Sequence, residues 1–311
     1  MVFHIFPRDR IHYKWNNSLD PVIRISSEDT VVYQLGEVTD GQITPTSSHE
    51  DLNKLDWNRV YPLSGPAYVD GADIGDALEV EIIDIHPKAW GWSAILPGFG
   101  LLEDEFREPK LKIWDLSYGD YTYFKDDIKI PLDPFCGTMG LAPSEAGMRE
   151  VMHPGKHGGN MDIRHLTKGA KLLLPVLVDG ALFSVGDPHA AQGDGEVCAS
   201  GIEAPMDLSL KFRIRKKAGI NAPQFITPGP LTSRYDGAGY YVTLGICPDL
   251  MEASRDAVRH MVNYISTSHK MERWEAYILC SIVGDLKISE IVDKPNWIVS
   301  FYLPLGIFKD R

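Results

Sequence analysis

Along most of the chain, apolar and polar residues alternate with a period of two. Leu78, Val80 and Ile82 alternate with Glu79 and Glu81, and Leu208, Leu210, Phe212 and Ile214 alternate with Ser209, Lys211, Arg213 and Arg215. Successive side chains of a strand point to opposite faces, so this spacing predicts strands with one buried face. β-Branched runs at 22–26 and 30–35, on either side of a Ser-Glu-Asp turn, predict two more. Apolar runs at 171–178 and 181–185 flank Asp179-Gly180. Both turn residues tolerate positive φ, which predicts a hairpin there. The 28 glycines and 21 prolines supply the many turns that a β-sandwich requires.

Helical spacing emerges only near the end. Leu250, Ala253, Ala257, Met261, Tyr264 and Ile265 predict a helix over 249–269. Pro248 stands just before it, where a missing N–H costs little. A second helix is expected over 271–282, and 285–293 and 297–303 return to compact, partly extended structure. The pattern thus describes a mainly β body over 1–215 and an α+β portion over 216–311. With no low-complexity linker between them, the two are expected to share one core. The proline-bounded stretch 223–230 is expected to be a loop able to cover a site.

Composition narrows the function classes. A chain of 311 residues makes one large or two intimate domains. A formal charge of −12 argues against a nucleic-acid backbone or an anionic membrane as partner. The basic cluster Lys211, Arg213, Arg215, Lys216 and Lys217 fits the wet face of a strand. Cys136, Cys198, Cys247 and Cys280 stand singly, with no CxxC pair, which argues against a structural zinc knot and a disulfide scaffold. A reducing, cytoplasmic setting is expected. Residues 1–10 are too charged for a signal peptide, and no apolar run reaches membrane-spanning length.

The chemistry is concentrated in Gly186-Asp187-Pro188-His189-Ala190-Ala191-Gln192-Gly193-Asp194-Gly195-Glu196. In an extended backbone, Asp187 and His189 face one point, and Pro188 stiffens their presentation. A carboxylate and an imidazole converging in this way make half of a zinc-type site. Asp194 and Glu196 repeat the spacing between glycines that allow a sharp turn. A plain Gly/Asp turn with solvated acids leaves His189 and Gln192 unexplained. A second segment, Pro154-Gly155-Lys156-His157-Gly158-Gly159-Asn160-Met161-Asp162-Ile163-Arg164-His165, places Asn160 and Asp162 at the same spacing. An amide oxygen plus a carboxylate suits a hard cation such as calcium or completes a mixed zinc site, although such a loop can also cap its own backbone. His157 and His165 are further donor candidates. Glu203, between Ile202 and Ala204, is expected to be partly buried and therefore to need a partner. Cys136, in a Gly-flanked turn, is either a small buried hydrophobe or a nucleophile with Glu145 or a histidine as base. No Walker A loop, Rossmann fingerprint or nucleophile elbow occurs.

These motifs resemble the acetamidase/formamidase family of small-amide hydrolases over nearly the whole chain. The carriers are Ser64-Gly65-Pro66 with the stretch 69–85, residues 135–143, the PGKHGGNMD run at 154–162, and above all 174–203. Glu275-Ala276-Tyr277, Gly284-Asp285-Leu286-Lys287-Ile288-Ser289 and Val292-Asp293-Lys294-Pro295-Asn296 fit as well. The resemblance implies a jelly-roll-like β-sandwich with an added C-terminal α+β portion. It also implies hydrolysis of formamide or acetamide, a divalent metal (zinc, or calcium) and a homo-oligomer. Carried over by motif, the site comprises Asn160, Asp162, Asp187, His189, Asp194, Glu196 and Glu203. Within it we expect Asn160, Asp162, Asp187 and His189 to hold the cation, and Glu196, Asp194 and Glu203 to supply acid–base chemistry. Backbone N–H groups near Gly193 and Gly195 are expected to assist the oxyanion. The competing readings are the Cys136 nucleophile and a non-enzymatic, calcium-dependent jelly-roll binding module.

Overall fold

The structure, a computed structural model, describes residues 2–229, 231 and 236–308. It is mainly β, as the period-two pattern predicts. One sheet runs in the order Phe3–Ile5, Thr30–Leu35, Met206–Arg215, Ala77–Pro87, Lys171–Pro175 and Gln224–Ile226. A second runs Gly158–Asn160, Phe135–Gly140, Phe183–His189, Leu63–Val69 and Ile11–His12, with Ile23–Ile25 also pairing on Leu63–Val69. The alternating apolar faces meet between the sheets. Phe183 of one touches Phe212 of the other edge-on at 5.0 Å, and Tyr33, Val80 and Leu174 join the same buried cluster. The outward face of Met206–Arg215 carries the basic cluster, and acids meet it. Lys211 pairs with Glu28 at 2.7 Å, Arg213 with Glu81 at 2.5 Å and Lys216 with Asp73 at 2.7 Å. Glu79 departs from simple alternation: it is buried beneath Arg213 and Arg215.

The expected hairpin at Asp179-Gly180 does not form. Lys171–Pro175 pairs with Ala77–Pro87 in the first sheet, whereas Phe183–His189 lies between Phe135–Gly140 and Leu63–Val69 in the second. Gly180, Ala181 and Leu182 all take positive φ, so the chain crosses from sheet to sheet instead of folding back. Gly180 also packs against Tyr68, where a Cβ would collide with the ring. The stretch expected as a loop at 223–230 contains the edge strand Gln224–Ile226, and Pro230 lies outside the described residues.

Helix α1 spans Leu250–Ser268, and Asp249 caps it by accepting a hydrogen bond from Glu252 N at 2.9 Å. It buries Ala253, Ala257, Val258, Met261, Val262 and Ile265 against a three-stranded sheet of Tyr240–Cys247, Trp297–Pro304 and Asp285–Glu290. Full burial of each large apolar side chain contributes about 1.5–3 kcal/mol. Helix α2 spans Arg273–Val283, and the same apolar cluster joins Tyr277 and Phe301 here to Leu102 and Val185 of the β-body. No helix among the described residues is long and apolar enough to cross a membrane.

The α+β portion also grips the acid-rich loop. Gly193 N donates to Ser281 O at 2.8 Å, Leu286 N donates to Asp194 O at 3.0 Å and Cys198 N donates to Ser281 Oγ at 3.1 Å. The segment carrying Glu196 is therefore set by contacts far away in sequence.

Candidate active site

Asn160, Asp162, Asp187, His189, Glu196 and Glu203 line one pocket of about 190 Å³. Three parts of the chain bring them there. The strand Phe183–His189 carries Asp187 and His189, and the end of Gly158–Asn160 leads to Asp162. Glu203 bridges back to both His189 and Trp92. Asp187 and His189 converge, but not through a regular pleat. Asp187 has φ 55°, Asp162 49° and Glu196 41°, so three of the pocket's acids sit in left-handed backbone. Such conformations cost roughly 1–3 kcal/mol each and gather where the surrounding structure enforces them.

Gly137 is the residue that lets the two segments meet. Its carbonyl accepts hydrogen bonds from Met161 N at 2.9 Å and Asp162 N at 3.2 Å. A Cβ on it would stand 2.8 Å from Asp187 Oδ2 and closer still to Asp162 Oδ1. Thr138 donates to Asn160 Oδ1 at 2.7 Å and lies 3.3 Å from Asp187 Oδ2. Asn160 Nδ2 in turn donates to Asp162 Oδ2 at 2.9 Å. The amide of Asn160 thus braces Asp162.

His189 is buried and held at both ring nitrogens. Gln192 Nε2 donates to Asp162 O at 2.9 Å, which turns Gln192 Oε1 toward His189 Nδ1 at 2.8 Å. Nδ1 therefore carries the proton, and Nε2 faces the acids: Glu203 Oε2 at 2.9 Å and Asp187 Oδ1 at 3.3 Å. Glu203 Oε1 accepts from Gly201 N at 3.0 Å, whereas its Oε2, although close to the ring, makes no aligned hydrogen bond. Asp162 Oδ1 is likewise buried without a hydrogen-bond partner.

The electrostatics follow from this crowding. Four carboxylates and one imidazole line the pocket, and no lysine or arginine does. Burial and the Asp187 carboxylate push the Asp162 carboxyl up to about 7. Burial, then Asp162, raises Glu196 well above the usual carboxyl range, and burial raises Glu203. Burial would lower His189, but Glu203 and Asp187 outweigh it and hold the imidazole well above its ordinary value. A buried anionic cluster of this kind needs protons or a cation. Ligand atoms of Asp162, His189 and Glu196 lie within 4.8 Å of one another, as do those of Asp187, His189 and Glu203. Carboxylate oxygens with a fixed-tautomer imidazole, Asp162 Oδ1 among them without a partner, form a donor set that fits a divalent cation.

Asp194 stands apart. It does not line the pocket; Arg164 Nε pairs with it at 3.1 Å while Arg164 Nη2 reaches Asp285 at 3.0 Å. Burial would raise the Asp194 carboxyl, but His165 and Arg164 bring it below its usual value. The Gly193 N–H, expected at the oxyanion, is occupied by Ser281 O. His157 packs edge-on against Trp15 at 5.1 Å, away from the pocket. Cys136 is 1 % exposed and lies outside the pocket lining, its thiol pushed up by burial, and Glu145 is an exposed residue paired with Arg149.

Sequence reasoning missed Tyr61, Gly137 and Thr138, and did not give Gln192 its role. Tyr61 lines the pocket, and burial followed by the Asp187 and Glu196 charges keeps its phenol protonated. Gln192 carried a signal as a residue that a plain turn leaves unexplained, whereas Gly137 and Thr138, expected in a Gly-flanked turn, lie in the strand Phe135–Gly140.

Comparison with known proteins identifies the family. The model of the Acetamidase/Formamidase family matches residues 6–153 and 145–310. A formamidase of Methylophilus methylotrophus is 28% identical, over 96% of this chain and 90% of that protein. An acetamidase of Mycolicibacterium smegmatis is 28% identical, over 60% of this chain and 61% of its own. Among solved structures, a gamma lactamase from Delftia acidovorans superposes with a TM-score of 0.90 at 26% identity, over 99% of this chain and 94% of that one. An acetamidase from Bacillus halodurans gives 0.69 at 31% identity, over 98% and 97%. The chain belongs to the acetamidase/formamidase family.

Proposed function

We propose that this amide hydrolase cleaves short amides, of which formamide and acetamide are the simplest, to ammonia and the carboxylate with a divalent cation held in the acid-lined pocket. The observation that carries the cation is the cluster of buried Asp187, His189 and Glu203 with half-buried Asp162 and Glu196, in which Asp162 Oδ1 lacks a hydrogen-bond partner. His189 among the donors suits zinc better than calcium, which prefers oxygen. Family membership sets aside the non-enzymatic binding module.

A cation there supplies positive charge that polarises the amide carbonyl and lowers the pKa of a nearby water. His189, Asp187, Glu203 and the free oxygen of Asp162 would hold it. Gln192 keeps the imidazole in the tautomer that leaves Nε2 free. Glu196, half-buried in the pocket lining, would take a proton from water and return it to the departing nitrogen once the cation's charge holds it ionised. Asn160 orients Asp162, and Asp194 ties the loop to Arg164. Cys136 has neither the exposure nor the thiolate character of a nucleophile.

Asp187→Asn and His189→Ala test the assignment. Both are expected to lose bound metal and ammonia release together; wild-type rates in both would reject it. The close match to a gamma lactamase favours cyclic amides as a second reading. Ring opening needs the same carbonyl attack, and a lactam tested beside acetamide separates the two.

A further inference from the structure

The pocket has two unlike halves. Its floor is the acid cluster, and its wall is apolar: Leu55, Trp57, Val60, Trp92, Leu96 and Phe99. The wall comes from two separate stretches. Trp57 begins the short turn Trp57–Arg59, and Phe99 follows the strand Trp90–Ile95. Their rings stack at 5.3 Å with planes 11° apart, closing the wall across the two stretches. Trp57 remains 47% exposed, a large apolar surface within the pocket lining. Glu37 accepts from the indole of Trp92 at 2.9 Å, so that ring is fixed.

Formamide bears only hydrogen on its acyl side and leaves this wall in water. A hydrocarbon acyl group would cover it while its carboxamide reaches the acids. Resting on the amide-hydrolase reading, we propose that the Trp57–Phe99 stack selects the acyl group, favouring primary amides with branched or ring hydrocarbon acyl groups over formamide. Each methylene seated on the wall favours its substrate about fourfold, from about 0.8 kcal/mol per buried CH₂.

The test is kcat/KM for formamide, acetamide, isobutyramide and cyclohexanecarboxamide, measured on the wild type and on Trp57→Ala, Phe99→Ala and Trp57→Phe. The wild type is expected to rise along the series by about fourfold per carbon until the pocket is filled. Each alanine variant is expected to flatten that rise, chiefly through KM for the larger amides, and Trp57→Phe to restore most of it. A wild type that prefers formamide, or alanine variants with the wild-type ratio of isobutyramide to formamide, would overturn the selector while amide hydrolysis stands. Absence of turnover on every amide would overturn both.

Discussion

Replacing Gly137 by alanine tests whether the two carboxylate segments must meet as closely as they do. Gly137 does not occupy left-handed backbone, so alanine suits its conformation and any effect comes from the added methyl alone. That methyl would lie 2.8 Å from Asp187 Oδ2 and nearer to Asp162 Oδ1. Comfortable contact needs about 3.5 Å, so Asp187 must retreat by about 0.7 Å and Asp162 by more. Both would be pushed into the pocket they line, and Asn160 holds the other oxygen of Asp162 against that shift. Forcing a methyl into such packing costs about 1–3 kcal/mol. Displacing the reacting groups by about an ångström costs roughly 100-fold in rate. Ammonia release from acetamide, with thermal unfolding in parallel, is therefore expected to show a roughly 100-fold fall in kcat/KM for a protein that still folds. Gly36→Ala, with nothing within 4 Å of the added carbon, is the control and is expected to be silent. A folded Gly137→Ala enzyme within about twofold of wild type would refute the close approach as a requirement for catalysis.

Three other outcomes follow from the same geometry. The Asp162 carboxyl, with a folded value of about 7 against an ordinary 3.8, retains a proton that the unfolded chain has released. That contribution is fully present below about pH 4 and is lost as pH rises through 7, so the Tm difference between zinc-loaded and chelated protein should widen over that window; a constant gap would contradict it. Gln192→Leu removes the partner of His189 Nδ1 and should lower metal affinity or kcat/KM by roughly 10- to 100-fold, read by zinc titration and ammonia release; an unchanged affinity and rate would deny Gln192 its orienting role. Cys136→Ala should cost about 1 kcal/mol in stability and leave kcat/KM within about twofold, whereas loss of turnover in a folded protein would revive the thiol nucleophile.

Much of the fold was legible because alternation reports local burial. The strands Thr30–Leu35 and Met206–Arg215 and helix α1 fall where the spacing puts them. The crossing at Asp179-Gly180 was not legible, since a Gly turn permits positive φ without saying whether the next strand returns to the same sheet. The acid-rich segment could be read as a site because His189 and its acids exceed what a solvated turn needs. Its detailed geometry could not. The left-handed backbone at Asp162, Asp187 and Glu196 breaks the same-side rule for residues two apart. Asp194, inside the motif, pairs with Arg164 because the α+β portion draws its loop outward. The wall residues Trp57 and Phe99 come together only in the fold, from separate stretches of no special composition.

The most direct test of the central claim is ammonia release from acetamide as the protein is stripped with a chelator and then titrated with zinc, with bound metal measured in each sample. Turnover is expected to vanish with the metal and to return in proportion to the zinc taken up. Undiminished turnover in a sample shown to contain no metal would contradict the account.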